Sequence, residues 1–336
     1  MNSPHLLNPS PADIALAAQT LAAGELLGLP TETVYGLAAD ALNPAAVAAV
    51  FHAKGRPSDH PLIVHVASPA QVRLFASEVP AFAQALMDAY WPGPLTLILP
   101  RRPGVADTAA GGHATIALRC PSHPLAQQLL QQALAMGVHG VAAPSANLYG
   151  RVSPTTAAHV RQAFPGLQVL DGGACDVGIE STIVDCSRHA PVLLRPGMLT
   201  PAQLSAVCGV PVQRDAPAPA TGSVDTAAPP APAAPGSLAS HYAPRAQLRL
   251  MTADQIASAL LTAPVDKLAL WLRSALPVPV QVKLLRMPDN ASACAHELFA
   301  RLHELDAAGV DDIWVETPPA DASWDGVRDR LQRASA

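Results

Sequence analysis

Residues 213–240 contain six prolines and nine alanines in 28 positions and show no apolar periodicity. Each proline fixes φ and removes a backbone donor, so a run this rich in proline builds neither a helix interior nor a central strand. It reads as an extended, semi-rigid connector, and the chain must bury a core on each side of it. The flanks, residues 1–212 and 246–336, are each long enough to do so. The expected division is therefore a first domain over 1–212, a connector over 213–245 and a smaller domain over 246–336. Residues 1–212 and residues 241–336 each carry ten Lys+Arg and twelve Asp+Glu. Neither has the basic excess of a protein that holds RNA or DNA by phosphate neutralisation alone.

The five cysteines form no CxxC pair and no metal-ligand spacing, which fits a reducing cytoplasm. The first residues lack a basic stretch, and Asp13 and Glu25 interrupt the apolar run that follows, so no signal peptide is expected. No apolar run reaches the roughly eighteen residues a bilayer span needs. A soluble, cytoplasmic protein with no membrane contact is the expectation.

Within the first flank, apolar residues at helical spacing (Ile14, Ala17, Ala18, Leu21) predict a helix over 11–23, stopped by Gly24. ELLGLP is a short strand that opens into a TETVYG loop. Asn43-Pro44 is a helix start for 45–53, with Lys54 and Arg56 at its exit. PLIVHV predicts a strand with Ile63 and His65 on one face, and ATIALR a strand with Thr115, Ala117 and Arg119 on one face. Helices are expected over 80–90, 124–135 and 155–164. Further strands are expected at LTLILP, before PSAN, and at LQVLDGG, STIVDCS and PVLLRPG. After the connector, strands at QLRLM, KLALWL, VQVKLL and DDIWVE alternate with helices near 254–261, 291–307 and 324–333. This is an α/β pattern with parallel pairing in the smaller domain.

No P-loop, dinucleotide fingerprint, GxSxG elbow or HExxH is present, so a nucleotide must be held by scattered cations and hydroxyls. The richest stretch is 30–66. It carries Thr31, Glu32, Thr33 and Tyr35, then Lys54 and Arg56, then His65. The chain has three lysines against eighteen arginines, so a compact ammonium at 54 points to a choice of shape. About a hundred residues downstream, the SAN string at 145–147 reads as the other half of the same anion site. Each motif has a plainer local reading: a polar turn for TETVYG, a solvated helix end for KGR, a hydrogen-bonded structural histidine for His65. Arg119 within an apolar strand needs an anionic partner, either a bound carboxylate or phosphate or a structural acid. Ser181-Thr182 and Arg195 repeat the pairing of hydroxyl and cation at strand ends. His241 and Tyr242, at the connector's exit, either cover a ligand or anchor the connector to a domain surface.

Taken in order, PTETVYGLAADA, KGRP with PLIVHV, WPGPLTLIL, TIALRCP, APSAN, STIVD and LLRPG resemble the YrdC-like family over nearly all of residues 10–210. The connector, its HYAP string and the second domain resemble the family's longer, two-domain threonylcarbamoyl-AMP synthases. The resemblance implies a twisted mixed sheet with a concave, positively charged cavity, and a smaller C-terminal Rossmann-like α/β domain. It implies a nucleotidyltransferase that converts L-threonine, bicarbonate (or CO2) and ATP, with Mg2+ carried by the ATP, into L-threonylcarbamoyladenylate and pyrophosphate. The product then serves tRNA processing: a tRNA threonylcarbamoyl-transferase complex would receive it, for tRNAs that read ANN codons, with any direct tRNA contact weak. The family's threonine pocket matches Thr33, His65, Arg119 and Ser181. Its KxR and SxN signature matches Lys54, Arg56, Ser145 and Asn147 on the ATP side, and Lys54 and Arg56 are the expected catalytic cations. Thr115, Ala143, Arg151, Arg195 and Tyr242 match further nucleotide contacts, and no protein side chain is expected to ligate a metal. Two positions depart from the family pattern: His60, where Asn is common, and Tyr149, where a small hydroxyl residue is usual. The rival readings are an RNA-binding module without chemistry, and a carbamoyl-transferring enzyme built on the same core. The even charge opposes the first, and the lack of a Cys-rich segment opposes the second.

Overall fold

The computed structural model describes residues 9–214, 232, 234–236 and 240–336. The expected connector thus lies largely outside the described residues. At the entry to the first domain, Ser10 and Asp13 cap helix α1 (Pro11–Ala22) reciprocally, which satisfies amide groups that the first turn leaves without partners. Ile14, Ala17, Ala18 and Leu21 form its buried face. They share a cluster with Ala126, Leu129, Leu130 and Ala133 of α5 (Pro124–Ala135). Helix α2 (Pro44–Lys54) begins with the Asn43 side chain accepting from Ala45 and Ala46. It ends at Gly55, whose φ of 63° is open to glycine at no steric cost and turns the chain sharply after Lys54.

Nine strands form one mixed sheet: β1 (Leu27–Leu29), β2 (Gly36–Asp40), β3 (Ile63–His65), β4 (Leu95–Pro100), β5 (Thr115–Arg119), β6 (Val141–Ala142), β7 (Thr182–Asp185), β8 (Val192–Arg195) and β9 (Gln213–Arg214). Their spatial order is β1-β2-β6-β3-β5-β4-β7-β8-β9. The pairs β3–β5, β4–β7 and β8–β9 are parallel and the rest antiparallel. Leu62, Val64, Leu97, Leu99, Ile116 and Leu118 belong to the main core on one face, with α2 and α4 (Ala81–Tyr90). On the opposite face a smaller apolar group, Ile63, Ile98, Ala117 and Ile183, is covered by Ala234 of the connector. The alternation read in PLIVHV and ATIALR therefore sorts core from concave face.

The smaller domain is a four-stranded, all-parallel sheet in the order β10-β13-β11-β12: β10 (Gln247–Met251), β11 (Leu268–Leu272), β12 (Lys283–Arg286) and β13 (Asp312–Glu316). Helices α8 (Ala253–Ala259), α9 (Ala291–Asp306) and α10 (Asp325–Ala334) supply the crossovers and flanks. One apolar cluster joins this domain to the first. Val34, Val152 and Ile179 pack with Tyr242, Trp271, Phe299 and Leu331. No helix of the described residues is long and apolar enough to cross a membrane.

Four local readings need correction. LQVLDGG forms no strand, only isolated bridge residues, Val169 among them, paired with Gly28. Past Leu170 the chain turns at Gly172 and Gly173, whose backbone bonds the Tyr35 hydroxyl rather than a ladder. Strand β2 was not anticipated, because GLAAD has no β-branched residue; its pairing with β1 and β6 imposes the extended form. Helix α7 (Pro201–Cys208), capped by Thr200 and Gln203, was also not anticipated. The first connector residues, Gln213 and Arg214, extend the sheet as β9.

Candidate active site

The loops at 31–36 and 143–147, distant in sequence, are tied together by Leu37 N–H to Pro144 O (2.7 Å) and Ala146 N–H to Tyr35 O (2.8 Å). Gly36 lies so close to Ala143 that an added Cβ would sit 2.9 Å from the alanine methyl. Between these loops, the concave face of the sheet and the connector is a cavity with an open mouth. Thr33, Lys54, Arg56, His65, Arg119, Ala143, Ser145, Asn147, Ser181, Arg195 and Tyr242 all line it.

On one side lie three cations, Lys54 and Arg195 buried and Arg56 half-buried. Lys54 ends α2, where the helix carbonyls favour positive charge, and its ammonium donates to Ser145 O (2.5 Å) and Asn147 O (2.6 Å). Burial, and then Arg56, hold its pKa well below the usual lysine value. Arg56 donates to Pro61 O (3.0 Å) and keeps a buried Nε–H without an acceptor. Burial lowers its pKa to about 10. Arg195, at the end of β8, donates to Ser181 O from Nε (3.0 Å) and Nη2 (2.8 Å), and to Pro235 O from Nη1 (3.0 Å). Among the described residues none of the three forms an ion pair. Enclosed cations that meet carbonyls and a hydroxyl but no ion-paired carboxylate remain short of negative charge, and a polyanion supplies it.

The other side is arranged differently. Parallel pairing sets His65 of β3 against Arg119 of β5. The Arg119 guanidinium donates to Thr33 Oγ1 (2.8 Å) and Gly93 O (3.2 Å), and its Nη2 lies 2.7 Å from the Glu32 carboxylate. The structural acid left open by the sequence is therefore Glu32, and Arg119 faces the cavity as well. Burial, then the Arg119 charge, push His65 down to about 3, so the imidazole is neutral at physiological pH, with Nδ1 unbonded. Ser181 Oγ shares a hydrogen with Thr96 Oγ1 (2.7 Å) and accepts from Arg195 Nη2 (3.1 Å).

Pro235, Gly236, His241 and Tyr242 complete the wall from the connector side. Gly236 has a φ of 76°, and a Cβ on it would meet the Tyr242 hydroxyl at 2.6 Å and Arg195 Nη1 at 3.0 Å. Of the two readings for His241 and Tyr242, the anchor is seen directly: the His241 amide donates to Arg333 O and Tyr242 packs on Phe299, and both side chains also line the cavity.

Thr115, His60 and Arg151, expected at the nucleotide, do not line the cavity. Thr115 shares the face of Arg119 but begins the strand, roughly 13 Å away at ~3.3 Å per residue. His60 reaches the wall only through the Tyr149 hydroxyl, 3.1 Å from its Nδ1. Arg151 donates to Pro244 O (3.3 Å) and holds the connector's exit. Conversely, Thr31, Tyr149, Glu180, Pro235 and Gly236 line the site and were not assigned to it from sequence. Glu180, an acid in an apolar run, carried the same signal as Arg119. Its partner, Arg330, lies 150 positions away and could not be guessed.

Among the described residues no three His, Cys, Asp or Glu side chains cluster as a metal site requires. Among the described residues no serine, threonine or cysteine side chain lining the cavity is paired with a base, so the arrangement acts by positioning and charge neutralisation.

Comparison with known proteins agrees with this geometry. The family model Sua5/YciO/YrdC, described as telomere recombination, matches residues 19–197. The model for the threonylcarbamoyl-AMP synthase C-terminal domain matches residues 199–336. The threonylcarbamoyl-AMP synthase of Pyrococcus abyssi is 38% identical over 333 residues, covering 96% of this chain and 94% of its own. That of Bacillus subtilis is 43% identical over 247 residues, covering 73% and 68%. A crystal structure of P. abyssi Sua5 complexed with L-threonine superposes with a TM-score of 0.84 at 36% identity, over 96% of this chain and 94% of that one. With both family models matched in order and full-length relatives at this identity, the chain belongs to the Sua5/YciO/YrdC family in its two-domain, threonylcarbamoyl-AMP synthase form.

Proposed function

We propose that this chain joins L-threonine, bicarbonate or CO2, and ATP into L-threonylcarbamoyladenylate, with release of pyrophosphate. One observation carries the reading: a single cavity sets three cations that form no ion pair among the described residues, two buried and one half-buried, beside a charge-compensated arginine flanked by hydroxyls and a neutral histidine. The first group suits a triphosphate and the second an amino acid. Arg119 takes the threonine carboxylate as a fork, with Thr33, His65 and Ser181 around the rest of the molecule. Lys54 and Arg56, with Ser145, Asn147, Ala143 and Arg195, hold the phosphates and the adenylate, and Tyr242 roofs them.

The threonine amine adds to CO2, loses a proton and becomes an N-carboxylate. One carboxylate oxygen then forms a bond to the α-phosphorus as the bond to the pyrophosphate oxygen breaks. Lys54, Arg56 and Arg195 neutralise charge on the leaving pyrophosphate, the role cations serve in phosphoryl and nucleotidyl transfer. Magnesium would arrive on ATP and add charge neutralisation at the phosphates, since Glu32 and Glu180 are already committed to arginines. Closure by the Tyr242 segment keeps water from the labile carbamate. The adenylate would pass to a tRNA threonylcarbamoyl-transferase complex in the cytoplasm, with little direct contact between this chain and tRNA.

The test is pyrophosphate release from the purified chain with ATP, L-threonine and bicarbonate. Release that requires all three is expected. Release that persists without threonine overturns the substrate assignment, and tight RNA binding without any release restores the binding-module reading.

A further inference from the structure

Among the smaller domain's side chains, one meets several pieces of the site at once. Arg330 of α10 is fully buried. Its Nε donates to Glu180 Oε2 (2.8 Å), Nη2 to Glu180 O (3.3 Å) and Nη1 to Pro196 O (2.7 Å) and Asp329 Oδ2 (2.8 Å). Its guanidinium carbon is 5.6 Å from the centre of the Tyr242 ring, within cation–π range. These partners are not a random set. Glu180 precedes Ser181, Pro196 follows Arg195, and Tyr242 is the roof, so one guanidinium touches three separate pieces of the cavity wall. Alongside, α10 lies flush on the same turn: a Cβ at Gly326 would be 2.9 Å from Gly197 O.

Two further observations turn these contacts toward function. Glu180 lines a cavity whose other charged walls are cationic, and an uncancelled carboxylate there would repel a triphosphate. Arg330 and the Ser153 hydroxyl are the groups that satisfy it. Tyr242 has a φ of 64°, a left-handed conformation that a bulky side chain keeps only where its surroundings hold it. Arg330 and Phe299, whose ring centre is 5.3 Å away, both come from the smaller domain.

We infer that Arg330 is a positioning residue for the nucleotide: it cancels the Glu180 charge in the cavity wall and fixes Tyr242 as the roof, which makes the smaller domain an integral part of the ATP site. The inference rests on the synthase reading above. A purely structural ion pair would hold the domains together without favouring either substrate. A positioning role acts on ATP more than on threonine.

The experiment uses the full chain and measures KM for each substrate by pyrophosphate release, with a thermal melt for every variant. Arg330→Met leaves Glu180 charged and unpaired, and should raise the KM for ATP about tenfold or more while moving that for threonine less than about threefold. Arg330→Met combined with Glu180→Gln removes both charges, so it carries the test where the single variant fails to fold. It should regain most of the melting temperature yet keep an ATP KM a few-fold above wild type, because the roof remains unpinned. A folded double variant with wild-type KM for ATP overturns the inference, as does a loss shared equally by both substrates. Wild-type chain in the same assay separates the two claims. No release from it sinks the synthase reading, whereas release that the variants match sinks only the role of Arg330.

Discussion

At one end of the cavity Lys54 and Arg195 are buried, and Arg56 half-buried, against backbone carbonyls; at the other Arg119 is buried but has Glu32 2.7 Å away. Desolvation acts on all four, yet the consequences diverge. At the first end the surroundings return less than the cost of burying charge, and lowered pKa values at Lys54, Arg56 and Arg195, with burial the main cause at each, express that shortfall. At the second the local charge is already cancelled. A polyanion gains most from the first end. A zwitterion, which carries no net charge, is accepted by the second without leaving an ion exposed or unpaired. The same contrast recurs one layer out, where Glu180 is tolerated beside the cations because Arg330 compensates it.

The largest effect that could break this comparison is at Lys54. Lys54→Ala should lower turnover in pyrophosphate release by roughly 10²–10³-fold, the usual cost of losing one preorganised charge donor. Its melting temperature should change little, since an uncompensated buried cation leaves together with its desolvation penalty. Near-normal turnover would sink the phosphate assignment. At the compensated end the pattern should invert. Arg119→Ala should raise the threonine KM by about 10–100-fold with little change for ATP, and should destabilise the fold by roughly 3–5 kcal/mol by leaving Glu32 buried and alone. Adding Glu32→Gln should recover stability but not threonine affinity. Equal effects on both substrates would erase the distinction between the two ends.

The smallest effect concerns His65, whose folded pKa is about 3 against an ordinary 6.5. Between these values the unfolded chain binds a proton that the native chain refuses, so stability falls as pH drops through that window. At pH 5 the loss is about 2 kcal/mol from this one group, at ~1.4 kcal/mol per pH unit below 6.5. Urea unfolding of wild type and His65→Asn at pH 7.5 and pH 5 measures it. The variant should lose less stability between the two pH values, and an identical loss in both proteins would show that His65 does not stay neutral.

Much of the fold was legible because it rests on local rules. The helical spacing of Ile14, Ala17, Ala18 and Leu21, the Asn43-Pro44 start and the period-two alternation of PLIVHV and ATIALR act within a few residues, and each produced the expected element. The errors have one source. β2 is a strand because its neighbours need one there, and 167–173 is not a strand because two glycines turn it away after isolated bridge residues. Within the site, hydroxyls and cations at strand ends could be picked out one by one, since a buried Arg119 or Lys54 is costly wherever it lies. Which side of the cavity each one serves was not legible without the resemblance. Thr115 and Arg119 share a strand face, and only the rung decides that Arg119 lines the site and Thr115 does not.

The sequence by itself determined the two-domain division, the α/β character and the group of polar side chains that no apolar core would accept without a purpose. Composition and periodicity suffice there, because burial and backbone geometry act on every residue through its near neighbours. The tertiary structure decided the partners. Glu32 for Arg119, Ser145 and Asn147 carbonyls for Lys54, and Arg330 for Glu180 are pairings across 87, 91, 93 and 150 positions. An ion pair depends on a few ångströms of separation, and a chain brings such distant residues that close only after its sheets have assembled.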